Sequence, residues 1–559
     1  MKKPELLCPV GGEETLSAAL FGGADAVYLG TREFNARMNA KNFDRNSLPS
    51  VVRRCHERGV RVYVTLNTLL TDRQIPEALS LAAALYREGV DALIVADLGL
   101  ARLLHLNFPR MELHASTQMS AHNTEAVRYL ASEGFFRAVC ARELDRENLA
   151  ELCGNSPLEI EAFVHGAVCA SHSGQCLMSS MIGDRSGNRG ECAQPCRLPY
   201  RGGYLLSFKD LTLARHVTEL IPMGIRSLKI EGRMKSPAYV YSVTRLWRTL
   251  LDENRNATPK EIEKTAAVFS RSGFTDGYFT KRIGEEMLGI RTEGDKSKSE
   301  GVRVSFRDGG PRGKRIETEK REVLSPHSEL PPKEKSPFCR TARFLSPDQI
   351  PEGDFFREKY LPLASFEGGA ANGVVLPPVV FDSEWGKVRE DLEKAVAKGA
   401  KHVLVGNLGH FSLAEDLPVT LHGDFRLNLT NSFSLNAFPF LADAIVSPEL
   451  NLAQLRDLRG KKRVIVYGRI PLMLLEKKPS GGALRDRRGV LFPVIEEGGR
   501  SIVLNSVPLY MTDKQKELKE KGLTDQHFIF TVETPEQVKR ILSAWQNKKE
   551  PTESVRRIR

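Results

Sequence analysis

Four cysteines, Cys169, Cys176, Cys192 and Cys196, lie within EAFVHGAVCASHSGQCLMSSMIGDRSGNRGECAQPCRLPY, which runs from Glu161 to Tyr200. The gaps between them hold six, fifteen and three residues. Thiolates bind soft metals and iron–sulfur clusters, and a compact set of four can close one metal site. Gly166, Gly174, Gly183, Gly187 and Gly190 let the loop bend around such a centre. Four buried structural cysteines are the bland alternative and fit poorly with so polar and glycine-rich a loop. A cysteine peptidase needs one thiolate beside a histidine, and His165 or His172 could serve, but three cysteines then have no role. A structural zinc is a further option, because a gap of fifteen residues is tolerable for it. No HExxH motif marks a metallopeptidase.

The elements that must position this loop alternate strictly. Strand-like runs at Leu6–Val10, Asp25–Leu29, Arg61–Leu66, Ala92–Ala96, Glu112–Ala115, Ala138–Ala141, Glu159–Val164 and Ser227–Glu231 are separated by amphipathic helical stretches such as Ile75–Glu88 and Ala238–Leu251. Strand and helix in turn imply a parallel sheet with right-handed crossovers. Eight such units predict a TIM-like (β/α)8 barrel, and no GxGxxG after the first strand supports an open dinucleotide-binding sheet. Chemistry then belongs at the C-terminal strand ends, where Arg142 and the run KIEGRMK supply Arg142, Lys229, Glu231, Arg233 and Lys235. Arg142, Lys229 and Arg233 are suited to an anionic substrate, with Glu231 as an alternative structural partner for one of them. The strand-like run Tyr204–Phe208 reads as part of a long excursion before the last barrel strand.

The organisation along the chain is a barrel domain over 1–293, a charged linker over 294–345 with a possible β element at Val302–Phe306, a second lobe over 346–545 and a basic tail over 546–559, whose last stretch TESVRRIR (552–559) frays in solvent. The second lobe echoes the first in degenerate form. VADLG (95–99) is matched by VGNLG (405–409), LHASTQMSAHN (113–123) by LHGDFRLNLTN (421–431), AVCAREL by AIVSPEL, and EIEAFVHG by KRVIVYG. GYLLSFKDL is matched by SIVLNSVPL. The echo predicts a degenerate, partial barrel-like α/β lobe. It carries none of the four thiols, which assigns it to substrate binding or structural support, with Gly468, Arg469 and Lys477–Arg488 as candidate polyanion contacts.

The chain has 559 residues, 41% hydrophobic and 27% charged, with a formal net charge of +11. That length requires more than one core, and the basic balance permits a nucleic-acid partner. No signal-peptide pattern opens the chain and no apolar run approaches the roughly 18 residues of a membrane span. The expectation is a cytoplasmic protein with reduced thiols and no membrane partner.

The run E-x-F-x-x-G-x-x-C-x-x-H-x-G-x-C-x-x-S at Glu161, Phe163, Gly166, Cys169, His172, Gly174, Cys176 and Ser179 resembles the signature of the collagenase-like peptidase U32 family, in which the His172 position is often tyrosine. The resemblance continues through GECAQPCRLPY, PVGG, GADAVYLG, LHASTQM and LKIEGR, and so covers nearly all of the first half. The longer chain resembles the subgroup that modifies ribosomal RNA. The resemblance implies a 4Fe-4S cluster on Cys169, Cys176, Cys192 and Cys196, with zinc as the alternative, and prephenate as a small anionic hydroxyl donor. It implies hydroxylation at C5 of a pyrimidine, a cytidine of 23S rRNA first and a tRNA uridine second. A peptidase and a structural-zinc RNA-binding protein are the alternatives. Arg142, His165, Lys229, Glu231 and Arg233 are the candidate catalytic residues.

Overall fold

The β-branched runs of the first half pair in sequence order into a closed parallel barrel. A computed structural model of the protein describes residues 3–322, 325–334, 338–479, 482–549 and 555–556. The barrel strands are β1 (Glu5–Pro9), β2 (Ala26–Gly30), β3 (Arg61–Leu66), β4 (Ala92–Val95), β5 (Glu112–Ala115), β6 (Arg137–Val139), β7 (Glu159–Gly166) and β8 (Ser227–Ile230). Each pairs in parallel with the next, and β8 returns to β1 through Leu6–Leu228. The connecting helices carry their apolar faces inward, so that Ile75–Arg87 buries Leu79, Ala82 and Leu85 against the sheet.

The second lobe also closes. Its strands are β9 (Arg340–Arg343), β10 (Glu358–Pro362), β11 (Gly373–Val375), β12 (His402–Val405), β13 (Thr420–Gly423), β14 (Ala444–Ile445), β15 (Lys462–Gly468) and β16 (Gln526–Ile529). All eight neighbours pair in parallel and β16 returns to β9. The expected barrel-like lobe is therefore a whole barrel. Its early strands are short and lack the alternating signal, and β9 lies within the charged stretch 294–345.

Two local readings are corrected. Tyr204–Phe208 is not a strand; the excursion instead pairs Asp210–Thr212 antiparallel to the end of β7, His165 facing Thr212. Val302–Phe306 has no regular structure, whereas Glu293–Glu300 is a helix capped by Thr292. The linker also packs on the first barrel: Arg312 N and Ile316 N donate to the carbonyls of Arg58 and His56. The expected fraying of 552–559 lies outside the described residues except at Val555 and Arg556, where Arg556 pairs with Leu509.

The barrels meet mouth to mouth about a local two-fold axis that follows the sequence echo. A Cβ on Gly99 would meet Asn431 Oδ1 at 2.7 Å, and one on Gly409 would meet Asn123 Oδ1 at 2.4 Å. Asn123 Nδ2 donates to Val380 O at 2.7 Å, and Asn431 Nδ2 donates to Leu70 O at 3.1 Å. The aligned pairs thus touch each other's copies, as in an isologous dimer.

In place of a cysteine loop, the second barrel inserts a four-stranded antiparallel sheet made of Pro471–Leu475, Ala483–Arg485, Leu491–Glu497 and Arg500–Leu504. This sheet backs the first barrel's cysteine loop: His172 N and Leu177 N donate to Leu474 O and Leu472 O, each at 2.8 Å.

Candidate active site at the mouth of the first barrel

A cavity of about 170 Å³ opens at the C-terminal end of the first barrel. Its floor is an ion-pair network. Lys229 of β8 donates to Glu161 Oε1 of β7 at 2.7 Å, and Arg137 of β6 reaches the other oxygen at 3.3 Å. Burial alone would push the Glu161 carboxyl up, but Lys229 and Arg137 outweigh it and hold it below the usual range. Lys229 Nζ also lies over the rings of Tyr28 and Phe163, at 4.5 and 5.3 Å from their centres.

Above the floor sits Glu231, just past β8. Arg37 and Arg142 approach its two oxygens at 3.4 and 3.7 Å. Burial opposes ionisation there too, and Arg37, Arg142 and Arg233 overcome it, leaving Glu231 below its ordinary value. Arg142 stacks its guanidinium 4.0 Å from the Phe163 ring centre and donates to Cys169 Sγ at 3.6 Å. Arg233 is held by neutral groups, Thr65 Oγ1 at 2.9 Å and the carbonyl oxygens of Asn35 and Asn42. Its desolvation brings its pKa down to about 10. Of the residues lining the cavity, the cations Arg37, Arg142, Lys229 and Arg233 outnumber the carboxylates of Glu231 and the floor residue Glu161, a surplus suited to an anionic ligand.

Cys169, Cys176, Cys192 and Cys196 all line the same cavity. Burial pushes the thiols of Cys176 and Cys192 up and that of Cys196 to about 12, and the neighbouring sulfurs add to this. Such a set is stable as neutral thiols, or as thiolates around a cation. Among the described residues, groups of three or more ligand atoms within 4.8 Å include no cysteine. One zinc draws four sulfurs to within about 3.8 Å of each other, so the set is too open for a single ion as it stands. A polynuclear cluster spreads its thiolates more widely, and the donor set fits one.

The structure thus gathers Arg142, Lys229, Glu231, Arg233 and the four cysteines. It does not gather His165, whose ring packs between Tyr239 and Phe274 outside the cavity, with Nδ1 3.0 Å from Thr212 Oγ1. Burial takes its pKa down to about 3, so it stays neutral. No histidine nitrogen is bonded to any of the four sulfurs among the described residues; the bonded partner of Cys169 Sγ is Arg142. Lys235 points away, over the Phe269 ring at 2.9 Å. Arg469 is spent on the carbonyls of Asn505 and Ser506. Arg37, Asn35 and Asn42 are site residues that the sequence reading missed. Their stretch, FNARMNAKN, forms a polar loop after β2 that an alternating-pattern reading passes over as a connection.

Comparison with known proteins agrees with this picture. A family model described as peptidase family U32 matches residues 11–288. The chain is 41% identical over 259 residues to the 23S rRNA 5-hydroxycytidine C2501 synthase of Escherichia coli (strain K12), covering 44% of this chain and 39% of that protein. It is 35% identical to tRNA hydroxylation protein P1 of Bacillus subtilis (strain 168), covering 52% of this chain and 74% of that one. It is 34% identical to a collagenase of Porphyromonas gingivalis (strain ATCC BAA-308 / W83), covering 50% and 75%. Among the described residues no helix is long and apolar enough to cross a membrane. With the cysteine loop, the barrel and these matches in register, the chain belongs to peptidase family U32.

Proposed function

We propose that this protein is an RNA hydroxylase that converts a pyrimidine C5–H to C5–OH, with a cytidine of 23S rRNA as the substrate and a tRNA uridine as the second choice. The observation that carries the reading is one cavity in which four cysteines, three arginines and a lysine meet. The likeness to an rRNA 5-hydroxycytidine synthase and to tRNA hydroxylation proteins supports the same chemistry.

Hydroxylation is a two-electron oxidation, so the oxygen donor must itself take up the two electrons as its C–O bond breaks and the C5 proton leaves, with a redox centre to relay them. Cys169, Cys176, Cys192 and Cys196 would hold a 4Fe-4S cluster, which supplies the electron transfer when bound. The protein's own residues do the rest. Arg37, Arg142 and Arg233 would hold the carboxylates of a small anionic donor such as prephenate, and Glu231 keeps the first two arginines oriented. The barrel floor beneath, sealed by Lys229 and Glu161, excludes water from the lower face of the ligand. A stacked base is out of reach of so recessed a cavity, so the target nucleotide would flip into it. The net charge of +11 favours the RNA backbone outside.

A thiol-peptidase reading has less support, because Arg142 rather than an imidazole contacts Cys169. The deciding experiment is nucleoside mass spectrometry of rRNA and tRNA from a strain lacking the gene. Loss of 5-hydroxycytidine from 23S rRNA is the expected result. Loss of 5-hydroxyuridine from tRNA alone would move the substrate, and intact levels of both would end the proposal.

A further inference from the structure

Beneath the cysteine loop, where it meets the sheet of the second barrel, His122, Glu143 and His172 bring three ligand atoms within 4.8 Å of one another. All three side chains are buried, at 0%, 2% and 1% exposure. They arrive from separate segments, the loops after β5 and β6 and the cysteine loop itself. His122 Nε2 and His172 Nδ1 are 3.1 Å apart, and Glu143 Oε2 lies 3.9 Å from His172 Nδ1.

The outward side of each residue is already held. His172 Nε2 is bonded to Glu476 Oε1 at 2.9 Å, and Arg500 Nε donates to that same oxygen at 2.6 Å. Glu143 Oε1 accepts from Ser173 N at 3.1 Å and Ser173 Oγ at 3.4 Å. The His122 ring is hydrogen-bonded to the backbone of Ser120. The inward atoms are His122 Nε2, His172 Nδ1 and Glu143 Oε2, and Glu143 Oε2 is buried with no hydrogen-bond partner. A carboxylate on the far nitrogen is how a metal-binding imidazole is fixed with its other nitrogen free.

Charge points the same way. Two carboxylates, Glu143 and Glu476, are buried here. Among the described residues, Arg500 is the one permanent cation ion-paired with either. With both carboxylates ionised and His172 neutral, at least one buried negative charge is left over, which is costly without a counter-ion. A bond between the two imidazoles satisfies His122 and His172 but leaves Glu143 Oε2 alone. A divalent cation among the three atoms satisfies all of them.

We propose that His122, Glu143 and His172 form a mononuclear divalent-metal site, zinc by its two-nitrogen, one-carboxylate donor set, distinct from the four cysteines. Three protein ligands leave one position for water. The ion would lock the cysteine loop to the second barrel, because His172 is bonded to Glu476, just past the first strand of that barrel's inserted sheet. A second group of this kind, Glu358, His402 and His422, carries no such proposal. There Arg463 donates to Glu358 at 2.5 Å and reaches His422 Nδ1 at 2.9 Å, so a guanidinium already fills the place of a cation.

The test is zinc content and zinc-edge X-ray absorption on the full-length protein purified without air. One zinc per chain with only nitrogen and oxygen neighbours is expected, and chelator-stripped protein should regain one equivalent from Zn2+ alone. Glu143→Gln should weaken that uptake at least tenfold with an unchanged circular dichroism spectrum, and Glu476→Gln by about 10–100-fold. His402→Ala should bind zinc as the parent does. Protein that holds no zinc and takes up none, sulfur in the zinc shell, or parental zinc uptake by Glu143→Gln would each overturn the proposal. Should Glu143→Gln fail to fold, the ligand shell in the parent protein decides alone.

Discussion

Asp72 and Ser432 are joined across the barrel mouths, the Ser432 amide and hydroxyl both donating to one carboxylate at 2.7 and 2.6 Å. Asp382 and Thr124 repeat the pair with the barrels exchanged, at 2.9 and 3.0 Å. Each carboxylate thereby sits at the start of a helix in the opposite barrel, where it meets unpaired amides and a favourable dipole end. The second barrel is thus held to the first by the same residues that hold the first to the second. Its own insertion backs the loop that carries the chemistry.

That interface tolerates no added atom at its closest approach. Gly99→Ala would place a Cβ 2.4 Å from Ser434 N. The expected cost is about 1–3 kcal/mol by overpacking, read from urea unfolding. Gly154→Ala, at an exposed helix position with nothing within 4 Å, is the control and should be neutral or stabilising by up to about 1 kcal/mol.

The floor of the cavity should depend on charge balance. Glu161→Gln leaves Lys229 and Arg137 buried without this counter-charge, and should destabilise the first barrel by about 3–5 kcal/mol. The double variant Glu161→Met with Lys229→Met should recover part of that loss. Equal destabilisation by the single and double variants would argue that packing, not charge, matters at this level of the barrel.

His165 sets a pH dependence. Its folded pKa of about 3 lies below its ordinary value of 6.5, so the unfolded chain binds more protons between those limits. Stability should therefore be complete above pH 6.5 and fall as the pH drops towards 3, by up to about 1.4 kcal/mol per pH unit for one proton. His165→Phe suits the aromatic surroundings of Tyr239 and Phe274 and should flatten the curve. Equilibrium unfolding of both proteins between pH 4 and 7 measures the difference.

The anion-binding arginines should act on function more than on fold. Arg142→Leu keeps contact with Phe163 but removes the charge beside Glu231 and Cys169. A drop of at least tenfold in hydroxylated nucleoside is expected in a complemented deletion strain at equal protein level. Arg291→Leu, a surface arginine over Phe269, should leave the modification intact.

Each of the four cysteines should matter equally if they share one centre. Single serine substitutions at Cys169, Cys176, Cys192 and Cys196 are each expected to remove bound iron and visible absorbance from protein purified without air. One essential and three dispensable cysteines would favour a thiol nucleophile instead.

Residue order alone determined a good deal. The alternation of short apolar runs with amphipathic helices specifies a barrel because each strand must bury both faces, and that pattern is local. The cysteine spacing and the basic residues in and after β8 are local as well, so the mouth of the first barrel is legible in the sequence. The echo of VADLG in VGNLG, and of LHASTQM in LHGDFRL, announced the second lobe. Tertiary structure decided what no local pattern carries. Glu231 is neutralised by Arg37, nearly two hundred positions away, and His165 lies outside the cavity past a register shift of β7 against β8 between Phe163 and His165, its ring held by Thr212. His122, Glu143 and His172 meet only because three loops converge under a sheet supplied by the other barrel. Charge pairing and ligand convergence are properties of distance in space, and the chain order records distance only along the backbone.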